Sequence, residues 1–251
     1  MAHGQFVHLG TRTAFSLLEG AMHIKDIAAR VVKFNSPAIA MVDTNNLFGA
    51  FEFSETLKKN GIQPIIGVTL SIKSPFVEDT RSTKTNTPDK IKLFAQNDSG
   101  YRNLLKLVSR AHLNSEPGED PQVTMPDIEE LHENLILLTG GPLGPIGKLI
   151  LEGKFENALQ YTLDLKTIFE DRLYIELMRH GLKEEKITEE PFLEIAYSNN
   201  IPIVATNTAL FMDVDMYEAH DALICIADGT YVAENKRRRF TPEHRLKSPK
   251  E

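Results

Sequence analysis

Phe6-Val7-His8-Leu9-Gly10-Thr11-Arg12-Thr13, closed by Ser16-Leu17-Leu18-Glu19-Gly20, is the stretch on which the reading of the fold turns. An apolar run enters a polar turn, and helical spacing begins beyond Gly20 with Ile24, Ile27, Ala28, Val31 and Val32. That is the pattern of a first strand, a loop and a crossover helix in an α/β sheet or barrel. Working outward, Asn35-Ser36-Pro37 stops the helix, and Ala38–Val42 resumes as a buried strand ending in Asp43-Thr44-Asn45-Asn46. A second helix fits Phe48–Lys59, with Gly61 just past its end, and Pro64–Ile72 reads as the next strand. Three such turns in succession predict parallel strands joined by helical crossovers.

Lys73–Pro88 breaks the rhythm and reads as an exposed loop, as does Asn114–Pro126. Between them lie a strand over Ile91–Ala95 and a helix stripe through Leu104, Leu105, Leu107, Val108 and Ala111. Leu135–Leu138 runs into the tight turn Thr139-Gly140-Gly141-Pro142. Helices follow over Phe155–Phe169, near Thr188–Ser198 and over Val214–Ala227, with strands at Leu173–Leu177 and Ile203–Ala205. Seven strand–helix units without repeat or linker give a single-domain α/β fold, a distorted (β/α)7-type barrel, with an open doubly wound sheet as the alternative. In either, chemistry belongs at the carboxyl ends of the strands: Gly10–Thr13, Asp43–Asn46, Thr69, Thr139–Pro142, Glu176–Gly181 and Asn207–Met212.

The net charge of −7 speaks against a broad nucleic-acid face, although a local basic patch is compatible with it. One cysteine, Cys225, excludes an internal disulfide and a thiolate metal cluster, and fits a reducing compartment. No apolar run has the length of a membrane span and no signal segment opens the chain, so a cytoplasmic address without membrane contact is expected.

The motifs resemble those of the PHP domain (polymerase and histidinol phosphatase) that opens bacterial DNA polymerase III α subunits, the C-family replicative polymerases. Phe6–Leu9 with Ser16–Gly20 is similar to the family's His-x-His strand and Ser-Leu-Leu-Asp-Gly. Pro37–Phe53, Gly61–Gly67, Asn97–Leu105, Ile201–Asn207 and Glu218–Ile226 match further family segments in the same order. Arg239-Phe240 and Leu246–Pro249 resemble the approach to the polymerase palm. The resemblance implies a PHP barrel over 1–233 and the start of a connection to the palm over 234–251. That tail, Glu234–Glu251, is expected to be partly disordered without the domain that follows.

Active members of the family hold divalent metals with histidines and carboxylates at the strand ends, donors suited to activating water and clamping phosphate. Carried over position by position, the two early histidines are Gly10 and Arg12, and the Asp of Leu-Leu-Asp-Gly is Glu19. The histidine after Asp43 is Thr44, the glutamate after the Pro-Ile-Ile-Gly segment is Thr69, and the histidine opening the next strand is Lys90. The glycine-turn ligand is Gly141, and the closing Asp-x-His is Thr208 and Leu210. Only Glu19 keeps a carboxylate, so no metal and no catalytic residue is expected.

What fills such a site is expected to be a charge network: Arg12 and Lys90 as cations facing Glu19, Asp43 and Glu176, with Arg12 suited to a two-pronged contact. Thr44, Thr69 and Thr208 would fill volume and hydrogen-bond there. Asp43 reads equally as the cap of a turn, and His180 in Arg179-His180-Gly181 as structural rather than catalytic. His8 and His220 sit in apolar frames, as does Cys225, and Lys236–Arg239 reads as a solvated charge run rather than a nucleic-acid contact.

The resemblance implies an inactive scaffold whose partners are a proofreading exonuclease subunit and the remaining domains of the polymerase. DNA and the Mg²⁺ of nucleotidyl transfer would belong to the longer parent, and this stretch would need no cofactor. The alternative is a residual metal-dependent phosphoesterase acting on 3′ ends or pyrophosphate. Metal content separates the two.

Overall fold

A computed structural model describes residues 6–73, 88–116 and 118–251. The expected loop Lys73–Pro88 lies, apart from its two end residues, outside the described residues. Eight strands are described where seven were expected: β1 Gly10–Thr11, β2 Ala38–Met41, β3 Gln63–Ile72, β4 Asp89–Ala95, β5 Leu135–Leu138, β6 Leu173–Met178, β7 Ile203–Thr206 and the two-residue β8 Thr208–Ala209. The helices are α1 Ile24–Lys33, α2 Ala50–Lys59, α3 Asp98–Asn114, α4 Met125–Leu131, α5 Pro145–Leu151, α6 Phe155–Phe169, α7 Lys183–Ser198 and α8 Tyr217–Asp228. The α/β class stands, in two compact units.

The first unit comprises the chain to Gly67, Met178–Leu182 and Thr206–Glu251. Its strand order is β3-β2-β1-β8, paired in parallel: Thr11 faces Met41, Gly10 faces Thr208, and Ala38 faces Gln63. The first strand is shorter than its apolar run suggested. Phe6–Leu9 stays outside the ladder, although the His8 carbonyl accepts from Ala40 N–H at 2.8 Å. Helix α1 buries Ile24, Ile27, Ala28 and Val31 of the stripe read from its spacing, while Val32, one position round the helix, is exposed. Helix α2 stops at Gly61, whose φ of +71° suits a residue without a side chain.

The tail Glu234–Glu251, expected to be partly disordered, is instead folded against this unit. Phe211 bridges Arg245, Leu210 N–H donates to the His244 carbonyl at 2.8 Å, and Leu246 N–H donates to the Phe211 carbonyl at 2.9 Å. His244 and Leu246 are buried. The tail thus carries its own apolar anchors, which outweighs the polarity of its composition.

The second unit comprises Val68–Leu177 and Lys183–Ala205. Its strand order is β4-β5-β6-β7, with β5 parallel to β6 but β4 antiparallel to β5, Lys92 opposite Leu138. Helix α4 accounts for that reversal. Two helical passes, α3 and α4, return the chain to the end where β4 finished. The stretch Asn114–Pro126 was expected to be loop, yet Thr124 and Asp127 form a reciprocal cap and α4 starts at Met125. Helix α5 is likewise absent from the sequence reading, although its Pro145 sits at the first helical position, where proline is at home.

Candidate functional site

The strand-end residues of the first unit form one connected polar cluster. Arg12 leaves β1 and donates through Nη1 to Glu19 Oε2 at 2.8 Å, the side chains being 7% and 14% exposed. Thr44 Oγ1 donates to the same Oε2 at 2.5 Å. The Arg12–Glu19 contact is single-pronged, not two-pronged, and Thr44 shares its acceptor oxygen. Asp43, one residue back on the same strand end, is turned to a different task. Its Oδ1 accepts from Thr13 N–H at 2.7 Å and Ser16 Oγ–H at 2.6 Å, and its Oδ2 accepts from Thr13 Oγ1 at 2.7 Å. Burial pushes the Asp43 carboxyl above the usual carboxylate range, against the pull of those donors and of the Arg12 charge. Asp43 is thus the cap of the Thr13–Ser16 turn.

The other positions singled out in this unit are closed or structural. A Cβ added at Gly10 would lie 2.6 Å from the backbone carbonyl oxygen of Asn207, so no side chain fits there unless β8 moves. Thr208 N–H donates to His180 Nε2 at 3.0 Å and its hydroxyl to Met178 Sδ at 3.3 Å, while Leu210 is fully buried. His180 stacks on His244 with ring centroids 4.0 Å apart, and Thr241 Oγ1 donates to the His180 carbonyl at 2.7 Å. Burial and the neighbouring His180 push the His244 imidazole down to about 2. His8 and His220 place Nε2 2.8 Å from the carbonyls of Lys247 and Glu19, and burial lowers both imidazoles.

The basic run folds back onto α8. Arg237 makes a two-pronged pair with Asp221 at 2.5 and 2.6 Å, and Arg238 pairs with Asp228 at 2.8 Å. Cys225 is buried in that helix.

In the second unit Glu176 meets Lys92, a cation that the sequence reading did not single out. Lys92 Nζ donates to Glu176 Oε1, with side chains 4% and 0% exposed, while Glu176 N–H donates to Thr139 Oγ1 at 3.1 Å. Lys90 and Lys92 stand two apart on β4 and so share a face. The signal was a lysine inside the apolar run Ile91-Lys92-Leu93-Phe94. Thr69 is buried on β3. Gly141 opens a short 3₁₀ turn with φ +58° behind Gly140, whose own Cβ would lie 1.8 Å from the Lys90 carbonyl oxygen.

This donor set does not suit a hydrolytic metal cluster. Such a cluster needs several imidazoles and carboxylates converging on one point. Here a guanidinium occupies the first strand end, and its neighbour Gly10 cannot carry a donor. Among the described residues no group of three or more His, Cys, Asp or Glu side chains is placed to hold a metal ion. None of their helices is long and apolar enough to cross a membrane.

Comparison with known proteins adds a family to this geometry. The model of the PHP domain matches residues 8–180. The chain is 40% identical over 251 residues to DNA polymerase III subunit alpha of Caulobacter vibrioides, covering all of this chain and 22% of that protein. It is 37% identical over 247 residues to the same subunit of Rickettsia bellii, covering 98% and 20%. The chain therefore spans about a fifth of the length of the curated relatives it matches. Among solved structures, a candidate metal-dependent phosphoesterase from Bifidobacterium adolescentis superposes with a TM-score of 0.55 at 12% identity, covering 82% of this chain and 88% of that one. An amidohydrolase from Chromobacterium violaceum gives 0.51 at 11% identity, covering 80% and 86%. At such identities the likeness is one of fold.

Proposed function

The chain belongs to the PHP domain family, and from that premise we propose that it is the PHP domain of a replicative polymerase α subunit, acting as a metal-free scaffold. The observation that carries this reading is the replacement of donors at the strand ends, above all Arg12 bound to Glu19 beside the closed position Gly10. A phosphoesterase needs a cation where charge develops on phosphate oxygens and a bound water as nucleophile. A guanidinium engaged by its own loop carboxylate supplies no nucleophile. The α subunits that resemble the chain along its full length support the placement in a polymerase.

On this reading the domain docks the proofreading exonuclease subunit, nucleotidyl transfer belongs to the parent's polymerase domain, and 234–251 lead toward that domain. The test is titration calorimetry of the chain with the cognate exonuclease subunit, paired with a phosphodiester hydrolysis assay in Mn²⁺ or Zn²⁺. Saturable binding with no hydrolysis is expected. Metal-dependent hydrolysis abolished by Glu19→Gln would overturn the reading in favour of a residual phosphoesterase. Absence of binding would remove the docking role.

A further inference from the structure

The loop Thr13–Gly20 is held at both ends by buried polar contacts that use different partners. Near its start, Asp43 accepts from Thr13 and Ser16, and Ser16 Oγ accepts in turn from Thr44 N–H at 3.1 Å. Near its end, Glu19 is gripped through its side chain by Arg12 and Thr44, and through its backbone carbonyl by His220 Nε2 at 2.8 Å. Between the two grips the chain is under strain. Leu18 takes a φ of +60°, a left-handed conformation that a branched side chain rarely adopts, and Leu17 is turned outward at 78% exposure. A strained segment that displays apolar side chains keeps one shape only if its surroundings fix it.

We propose that Arg12 is a positioning residue, the built-in cation that fixes the Thr13–Gly20 loop in place of a bound metal ion. Its guanidinium supplies a permanent positive charge to a mostly buried carboxylate, and it needs no ligand from solution. A buried carboxylate without that partner turns toward water or takes up a proton, and either change releases the end of the loop. The geometry of Gly10 makes the exchange of metal for arginine more than the loss of one donor, because the Asn207 carbonyl occupies the space where a ligand side chain would begin. This inference stands apart from the docking role and holds whether or not a partner binds.

The experiment is amide hydrogen exchange on the whole chain, read at residues 14–21 against helix α6 as an internal reference. Arg12→Met is expected to raise exchange at the amides of Ser16, Glu19, Gly20 and Ala21 at least tenfold while α6 is unchanged. Arg12→Lys, which keeps the charge, should restore most of the protection, and 1 mM Zn²⁺ added to Arg12→Met should restore none. Thr44→Val removes only the shared hydroxyl and carries the same local expectation in a milder form, so the idea stays testable if Arg12→Met fails to fold. Equal exchange in the loop with and without Arg12 would overturn the proposal. A uniform rise that includes α6 would do the same, and so would recovery of the loop by Zn²⁺.

Discussion

Lys92 and Glu176 meet in the second unit as an ion pair shut off from solvent, with side chains 4% and 0% exposed. Two charges brought out of water lose hydration that their mutual attraction only partly returns, so such a pair gives little net stability relative to apolar side chains of the same size. Breaking it is different, because one charge is then buried alone.

Lys92→Met should therefore destabilise the chain by about 3–5 kcal/mol, and Glu176→Leu by a similar amount. The double variant should recover most of that loss, since neither charge is stranded. Urea unfolding of the four proteins gives the coupling directly. Additive losses in the double variant would show that the two side chains do not depend on each other.

Stability should fall with acid well before the carboxylates titrate. His8, His220 and His244 all have imidazole pKa values lowered by burial, His244 to about 2. A base with a depressed folded pKa binds its proton in the unfolded chain first. The stability it contributes is present above about 6.5 and is lost as pH drops below that value, with His244 still contributing to the loss down to about 2. Each histidine that stays neutral in the folded state removes about 1.4 kcal/mol per pH unit below its unfolded value. Urea midpoints at pH 7.5, 6 and 5 should decline steadily, and a flat profile would contradict these assignments.

Gly10→Ala should cost about 1–3 kcal/mol, because the new methyl group lies 2.6 Å from the backbone oxygen of Asn207, just before β8, and cannot rotate away. A melting temperature equal to that of the parent would show that β8 yields easily and that position 10 is open after all.

The helical crossovers were legible because their signals are local and periodic: α1 follows its stripe, and the bounds of α6 coincide with those read from spacing. Helix α4 was lost to three prolines and a charge-rich run, since a short helix with a reciprocal cap at Thr124 and Asp127 buries few residues. The fit of Leu246 and His244 against Phe211 and Leu210 depends on contacts between residues some 35 apart, which no window of sequence contains. At the site, Arg12 with Glu19 lay within one motif and could be anticipated. Lys92 could not, because two lysines on one strand face are equivalent until the opposite carboxylate is placed. Asp43 was readable as a cap from its position before Thr44-Asn45-Asn46, although its donors Thr13 and Ser16 come from another segment.

On the proposed reading the strand ends hold a fixed cation where a metal would otherwise sit. Titration calorimetry of the whole chain with Zn²⁺ and with Mn²⁺, after dialysis against chelator, tests it most directly. No saturable heat at micromolar metal and no rise in melting temperature are expected. Stoichiometric binding that stabilises the chain and is lost in Glu19→Gln would contradict it.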